Sequence, residues 1–230
     1  MSSDDLAAVL LSLRVAVVAT LCSLPLALAA AKALAHPARR RGPGLALLDA
    51  VVNLPLVLPP VATGYVLLLL FGRQGPVGAV LAKAGIVFAF DWTGAALASA
   101  IMAFPLMVRP IRLAIEAIDG EVEEVAKTLG AGRLTRFVRL TVPLSAPGLV
   151  AGAMLGFAKA LGEFGATITF VGAIPRQTLT LPTAIYQAVQ APGGETRAIA
   201  LCVVSATLAF VSVLAADGVG RWAARRTSGP

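Results

Sequence analysis

Five stretches of this chain are long and apolar enough to cross a lipid bilayer, and no other feature limits its fold as strongly. They run from Leu6 to Leu34, Leu45 to Phe71, Trp92 to Ile118, Ser145 to Phe164 and Ala198 to Val219. A hydrocarbon core about 30 Å thick takes about 20 helical residues to cross. No water reaches the backbone there, so each spanning segment must satisfy its own N–H and C=O groups, and a helix does so. Composition agrees: 58% of the residues are hydrophobic, 13% are charged and the mean hydropathy is +0.86. A soluble domain is about one-quarter charged, and a disordered chain is polar. The expected fold class is all-α and polytopic, with five transmembrane helices, or six if the short apolar stretch Val77–Phe90 also crosses. Residues 1–230 read as one transmembrane domain.

The basic residues orient the spans. Of 19 Lys and Arg against 12 Asp and Glu, eleven fall in three segments on one side: Lys32 and Arg39–Arg41, then Lys127, Arg133, Arg136 and Arg139, then Arg221, Arg225 and Arg226. The alternate loops hold Arg73, Lys83, Arg176 and Arg197. The positive-inside rule then places the N-terminus outside and the C-terminus in the cytoplasm. Val77–Phe90 reads as a re-entrant or interfacial segment, because a sixth crossing would put the basic 119–144 loop on the wrong side. The first span does not read as a cleavable signal peptide, since its apolar run is too long and Asp4 and Asp5 stand where a basic region belongs. Cys22 and Cys202 lie within apolar runs and His36 stands alone, so no metal site is expected. The charge pattern gives no reason to expect nucleic acid.

Two spans are interrupted. Span two holds Asn53, Pro55, Pro59, Pro60, Thr63 and Gly64; prolines open the helix ladder, which a membrane tolerates against protein or a water-lined cavity. Asn53, Pro59, Pro60 and Thr63 are candidates for a translocation path. Span three holds Pro105 and Pro110. Span four carries Gly148, Gly152 and Gly156 at intervals of four, followed by Ala160, a stripe expected to admit a neighbouring helix closely. Lys159 and Glu163 lie one turn apart at membrane depth. They serve either as path residues, with Lys159 attracting an anion, or as a mutual ion pair. Phe164, Gly165, Thr167 and Thr169 complete the candidate path. Arg14, inside span one, is expected to meet a neighbouring helix.

The cytoplasmic loop, about 119–144, is the most patterned segment. Asp119 is placed to cap a helix, and Glu121, Glu123 and Glu124 fall in its first turns. Gly130 suits the left-handed residue that ends it. Arg133, Arg136 and Arg139 follow, spaced by Leu134, Phe137 and Val138, up to Pro143. Four acids and four bases cancel here. An amphipathic connector on the membrane surface would look similar.

These residues resemble a family. The cytoplasmic signature of ABC importer permeases, E-A-A-x3-G-x9-I-x-L-P, is matched in spacing by Glu124, Val125, Ala126, Gly130, Leu140, Val142 and Pro143. Lys159–Val171, with its L-G-E-F-G-A core, is similar to a segment of molybdate, tungstate and sulfate permeases. Leu58–Tyr65, Phe104–Arg109 and Gln190–Glu195 look like bacterial molybdate permeases. The resemblance implies the type I importer permease fold and a location in the bacterial inner membrane. It implies a homodimer enclosing a path for molybdate, two ABC ATPase subunits beneath it, and an extracytoplasmic molybdate-binding protein above. Glu123, Glu124, Ala126, Leu129, Gly130, Ala131 and Arg133 would form the coupling helix and turn that meet the ATPase. A sulfate or tungstate permease with the same mechanism is the nearest alternative.

No Walker motif, HExxH or nucleophile–base pair occurs. The chain is therefore expected to be a transport subunit without an ATPase site or cofactor of its own, ATP–Mg being bound by the partner. A membrane-embedded enzyme using Glu163 or Asp91 would need convergent catalytic groups. A purely structural subunit would give the patterned loop no purpose.

Overall fold

The computed structural model describes residues 2–35 and 42–227; His36 and Arg39–Arg41 lie outside them. All regular structure among the described residues is helical. Helix α1 (Ser3–Leu34) is followed by α2 (Pro43–Val57), α3 (Pro60–Phe71), the short α4 (Gly78–Lys83) and α5 (Trp92–Glu116). The loop contains α6 (Gly120–Thr128), α7 (Arg133–Arg136), a π-helical turn (Phe137–Thr141) and α8 (Val142–Leu144). Then come α9 (Ala146–Leu161), α10 (Gly165–Val171), α11 (Leu181–Gln190) and α12 (Glu195–Thr227).

Three single helices pass as spans: α1, α5 and Glu195–Ser212 of α12. The pairs α2/α3 and Arg133–Leu144/α9 bring the number to five if each bent pair counts as one. At 32 residues, α1 is about 48 Å long, more than a bilayer core requires.

Helices α1 and α5 run parallel. Arg14 sits over the Trp92 ring at 3.7 Å near one end, and Ala27, Ala31 and Leu34 pack with Met107, Val108 and Ile111 toward the other. The chain between them must therefore return once across the bundle, which α2 and α3 do with a bend of 114°. Pro59 and Pro60 stand at that bend, where Pro60 opens a new helix. Pro105 and Pro110, by contrast, are accommodated inside a continuous α5.

Helix α9 lies antiparallel to α5, and its glycine stripe is the reason it can. A Cβ on Gly148 would come within 2.4 Å of Ala114 Cβ and 2.6 Å of the Pro110 carbonyl. One on Gly152 would meet the Met107 carbonyl at 2.8 Å, and one on Gly156 the Met107 side chain at 2.5 Å. The stripe is thus a helix-packing seam. Span four ends earlier than hydropathy suggests: α9 stops at Leu161 and the apolar run continues as a separate helix, α10. Hydropathy does not register this break, because Gly162, Glu163 and Phe164 interrupt the helix without interrupting the apolar average.

The N-terminal end of α1 is held by α11, α12 and the preceding turn. Leu181 N donates to Ser12 Oγ at 2.6 Å, Arg197 pairs with buried Asp5 at 2.6 Å, and Arg176 pairs with Asp4 at 2.7 Å. Lys32, at the other end of α1, reaches Thr141 beside the loop. The Asp4/Asp5 end and the 119–144 loop therefore occupy opposite ends of the bundle. Val77–Phe90 contributes only the six-residue α4, which is too short to span.

Gly148→Val should lower the melting temperature of the purified protein, because Pro110 offers backbone and cannot yield; overpacking of this kind costs about 1–3 kcal/mol. Gly44→Ala, at a position with nothing within 4 Å, should melt at or slightly above the wild-type temperature. Equal melting of Gly148→Val and wild type would contradict the seam.

Candidate functional site: two helix breaks and a coupling loop

The two breaks in the bundle face each other. Helix α3 starts at Pro60, α10 starts at Gly165, and the starts touch: a Cβ on Gly165 would come within 2.7 Å of Pro60 Cβ. One turn on, a Cβ on Gly64 would lie 2.5 Å from the Ala166 carbonyl. Reciprocal glycines let the two backbones cross in contact. The LPPVATG and GEFGA segments, about 100 residues apart in sequence, thus form one junction.

Glu163 closes it. Its side chain is 1% exposed; Oε2 accepts from Lys159 Nζ at 2.6 Å, and Oε1 accepts from Ala166 N at 2.9 Å. One carboxylate therefore joins the last turn of α9 to the first turn of α10 and satisfies a backbone donor that the break leaves free. Of the two roles open to Lys159 and Glu163 in the sequence, the ion pair is formed. The Lys159 side chain stays 30% exposed while its ammonium is paired.

The remaining path candidates separate. Pro59 and Pro60 are exposed, Phe164 is half-buried against Tyr186 with ring centroids 5.0 Å apart, and Gly165 lies under Pro60. Thr169 is half-buried, its hydroxyl donating to Gly165 O at 2.8 Å. Thr167 and Thr63 lie deeper than the other candidates. Thr167 is 1% exposed and its hydroxyl bonds the Phe164 carbonyl at 2.9 Å, while Thr63 is also buried. Both face the bundle interior.

Asn53 lies away from the junction. Its Nδ2 donates to Asp49 O at 2.8 Å and to Asp49 Oδ1 at 3.0 Å. Asp49 meets Arg112 at 3.5 Å, and Arg112 meets Glu116 at 2.8 Å. Asn53 thus begins a polar chain leading from mid-α2 to the loop end of α5. Sequence reading missed this network, although Arg112 near the end of an apolar run was a usable signal. It also missed Trp92 as the partner of Arg14, and Tyr186. Asp91 caps α5 through Thr93 and makes no cluster with Glu163. Among the described residues no three of His, Cys, Asp and Glu gather as a metal-binding group.

The loop has the local features expected of it. Asp119 caps α6 by accepting from Glu121 N at 3.0 Å, and Gly130 takes φ 79° just past the helix end. Ala131 N donates back to Ala126 O, closing the turn. No residue of α6 is buried. Val122, Val125 and Leu129 share one face at helical spacing and are 43%, 58% and 81% exposed. Glu123 pairs with Arg136 at 3.5 Å, whereas Glu124 and Arg133 point to the surface, exposed. The helix is positioned by its ends and one ion pair, and its apolar face is left uncovered.

Residues 23–229 match the family described as "Binding-protein-dependent transport system inner membrane component". The molybdenum transport system permease protein of Escherichia coli strain K12 is 52% identical over 219 residues, covering 95% of this chain and 93% of that one. The molybdenum transport system permease protein of Haemophilus influenzae is 47% identical over 218 residues, covering 94% of each chain. Among solved structures, a bacterial ABC transporter involved in import of the polysaccharide alginate superposes with a TM-score of 0.76 at 19% identity. That match covers 96% of this chain and 80% of the other. At such identity the likeness concerns the fold.

Lys159→Met alone should destabilise the protein, since it leaves a buried carboxylate without its cation; loss of one partner of a buried pair costs about 3–5 kcal/mol. The double variant Lys159→Met/Glu163→Gln should recover part of that loss. Thermal melts of the three proteins in detergent measure the coupling, and strict additivity would show that the two side chains do not depend on each other.

Proposed function

Because the chain belongs to the family of binding-protein-dependent transport system inner membrane components, we propose that it is the membrane-spanning subunit of an ATP-driven molybdate importer. The observation that carries the coupling part of this reading is the uncovered face of α6. A nine-residue helix with a free apolar stripe is marginal alone, and it gains from docking in a partner's groove. The partner is an ABC ATPase, two copies per transporter, supplying the ATP–Mg chemistry for which this chain has no motif. Glu123, Glu124, Ala126, Leu129, Gly130, Ala131 and Arg133 form the contact.

The loop and the C-terminus then face the cytoplasm and the Asp4/Asp5 end faces outward, in keeping with the basic residues. An extracytoplasmic binding protein delivers the anion to that outer end. A second copy of the chain completes the path, with Pro59, Pro60, Phe164 and Gly165 near it and Lys159 offering a cation to a dianion. A conduit holds its cargo weakly, and a cation already shared with Glu163 suits that need. Closure of the ATPases moves α6, and through the continuous α5 and α9 the movement reaches the facing breaks. Molybdate as cargo rests on the relatives at 52% and 47% identity.

Two measurements test this reading. Gly130→Pro and Glu124→Arg should leave the protein in the membrane but reduce molybdate uptake or ATPase co-purification by about tenfold or more, the first by denying the turn its positive φ. Normal uptake by both variants would falsify the coupling role. Cellular molybdenum, measured by elemental mass spectrometry at limiting molybdate, should fall on deletion and recover on complementation regardless of excess sulfate. A fall in sulfate uptake with molybdenum unchanged would assign the chain to sulfate.

A further inference from the structure

Behind the coupling helix, on the side toward the bundle, lies a recess of about 490 Å³ lined by Lys32, Glu123, Arg133, Leu134, Arg136 and Phe137. Three cations and one carboxylate line it. The Arg136 side chain is only 15% exposed, and its one ion pair, to Glu123, is long at 3.5 Å and uses a terminal nitrogen. Arg136 Nε is buried and has no acceptor among the described residues. A buried charged donor left open in this way is costly unless something accepts from it. Lys32 is similarly underused: its ammonium lies over the Phe137 ring at 4.5 Å and reaches Thr141 Oγ1 at 3.3 Å, with no carboxylate in contact among the described residues. Its next basic neighbours in sequence, Arg39, Arg40 and Arg41, add charge of the same sign to the segment after α1.

Position narrows the chemistry of what fits. Lys32 stands in the last turn of the 32-residue α1, where a transmembrane helix leaves the hydrocarbon and phosphate headgroups begin. Beside the recess, Leu134 and Val138 are 75% and 55% exposed, as in a segment lying in the membrane interface. An Arg fork with a free Nε, a lysine a side chain away and a wall of apolar groups match a phosphodiester carrying acyl chains.

We propose that this recess binds the phosphate of an anionic phospholipid from the leaflet on the loop side. Arg136 Nε and Lys32 Nζ hold the phosphate, and the acyl chains run along Leu134 and Val138. Because Arg136 also holds Glu123, the bound lipid fixes the guanidinium that positions α6, so the membrane's anionic lipid content sets how firmly the coupling helix is held. This last step rests on the coupling reading of α6. Lipid binding itself does not.

The test uses the purified permease–ATPase complex, delipidated in detergent and titrated with phosphatidylglycerol, phosphatidylcholine or soluble glycerol phosphate, with bound lipid counted by native mass spectrometry. Phosphatidylglycerol should bind and raise the melting temperature, and neither comparison compound should do so. Arg136→Gln and Lys32→Gln should each weaken phosphatidylglycerol retention by about five- to tenfold. Equal binding of phosphatidylcholine, equal protection by glycerol phosphate, or unchanged retention in both variants would overturn the proposal. Loss of the ATPase from Arg136→Gln with lipid retention intact would also overturn it, assigning Arg136 to a protein contact. If Arg136→Gln fails to fold, Lys32→Gln alone decides. Failure of the coupling reading would appear separately, as normal transport in the α6 variants while lipid binding persists.

Discussion

A helix cannot stop inside a bilayer unless something other than water takes over its hydrogen bonds, and this bundle stops two helices there. Its solution is to set one break against the other. Gly64 and Gly165 remove the side chains that would hold the two starts apart. Glu163 then supplies the acceptor that Ala166 N lacks. Once these contacts exist, much else follows: α3 must leave α2 at a steep angle, α10 must be short, and Lys159 must stay close to balance the carboxylate. On its inner side the junction is covered by protein, with Gly64, Glu163 and Ala166 buried, while Pro59 and Pro60 stay exposed. The cation there, on Lys159, is already engaged by Glu163.

The outer scaffold around that junction is more ordinary. Helices α1, α5 and α9 pack through alanine and glycine, with Met107 filling the space opposite Gly152 and Gly156. Small residues suit a medium in which apolar side chains gain little by leaving lipid, so close backbone approach and dispersion contribute what hydrophobic burial cannot. Where α1 leaves the apolar region the interactions change character. Asp4 and Asp5 meet arginines at one end and Lys32 meets Phe137 and Thr141 at the other.

Features that depend on local chemistry could be read in the chain; those that depend on distant partners could not. Hydropathy located the crossings because a bilayer sets one length for all of them. Asp119 and Gly130 identified α6 because caps act within a few residues, and the spacing of Gly148, Gly152 and Gly156 located the seam with α5. The break before α10 is invisible to an apolar average, and polarity at membrane depth does not reveal that Thr63 and Thr167 face the bundle interior. Nor does it reveal the link from Asn53 through Asp49 to Arg112, the last two being 63 residues apart in sequence. The recess at Arg136 likewise joins residues from α1 and the loop that no spacing relates.

The π-helical turn at Phe137–Thr141, closed by Val142 N bonding to Phe137 O, has a consequence for how the loop tolerates change in length. Such a turn holds one residue more than the α-helical hydrogen-bond pattern allows. Deleting one residue there would restore the α-helical pattern with the flanking turns close to their present phase, whereas deleting one from the α-helical turns beside it would rotate everything on one side by about 100° relative to the other. Arg136 would then turn away from Glu123, and the apolar stripe of α6 would present itself in a different direction. Surface connections usually absorb insertions and deletions because only their reach matters. This one is keyed by phase, and the π turn is the place in it where a residue can be lost with the phase kept.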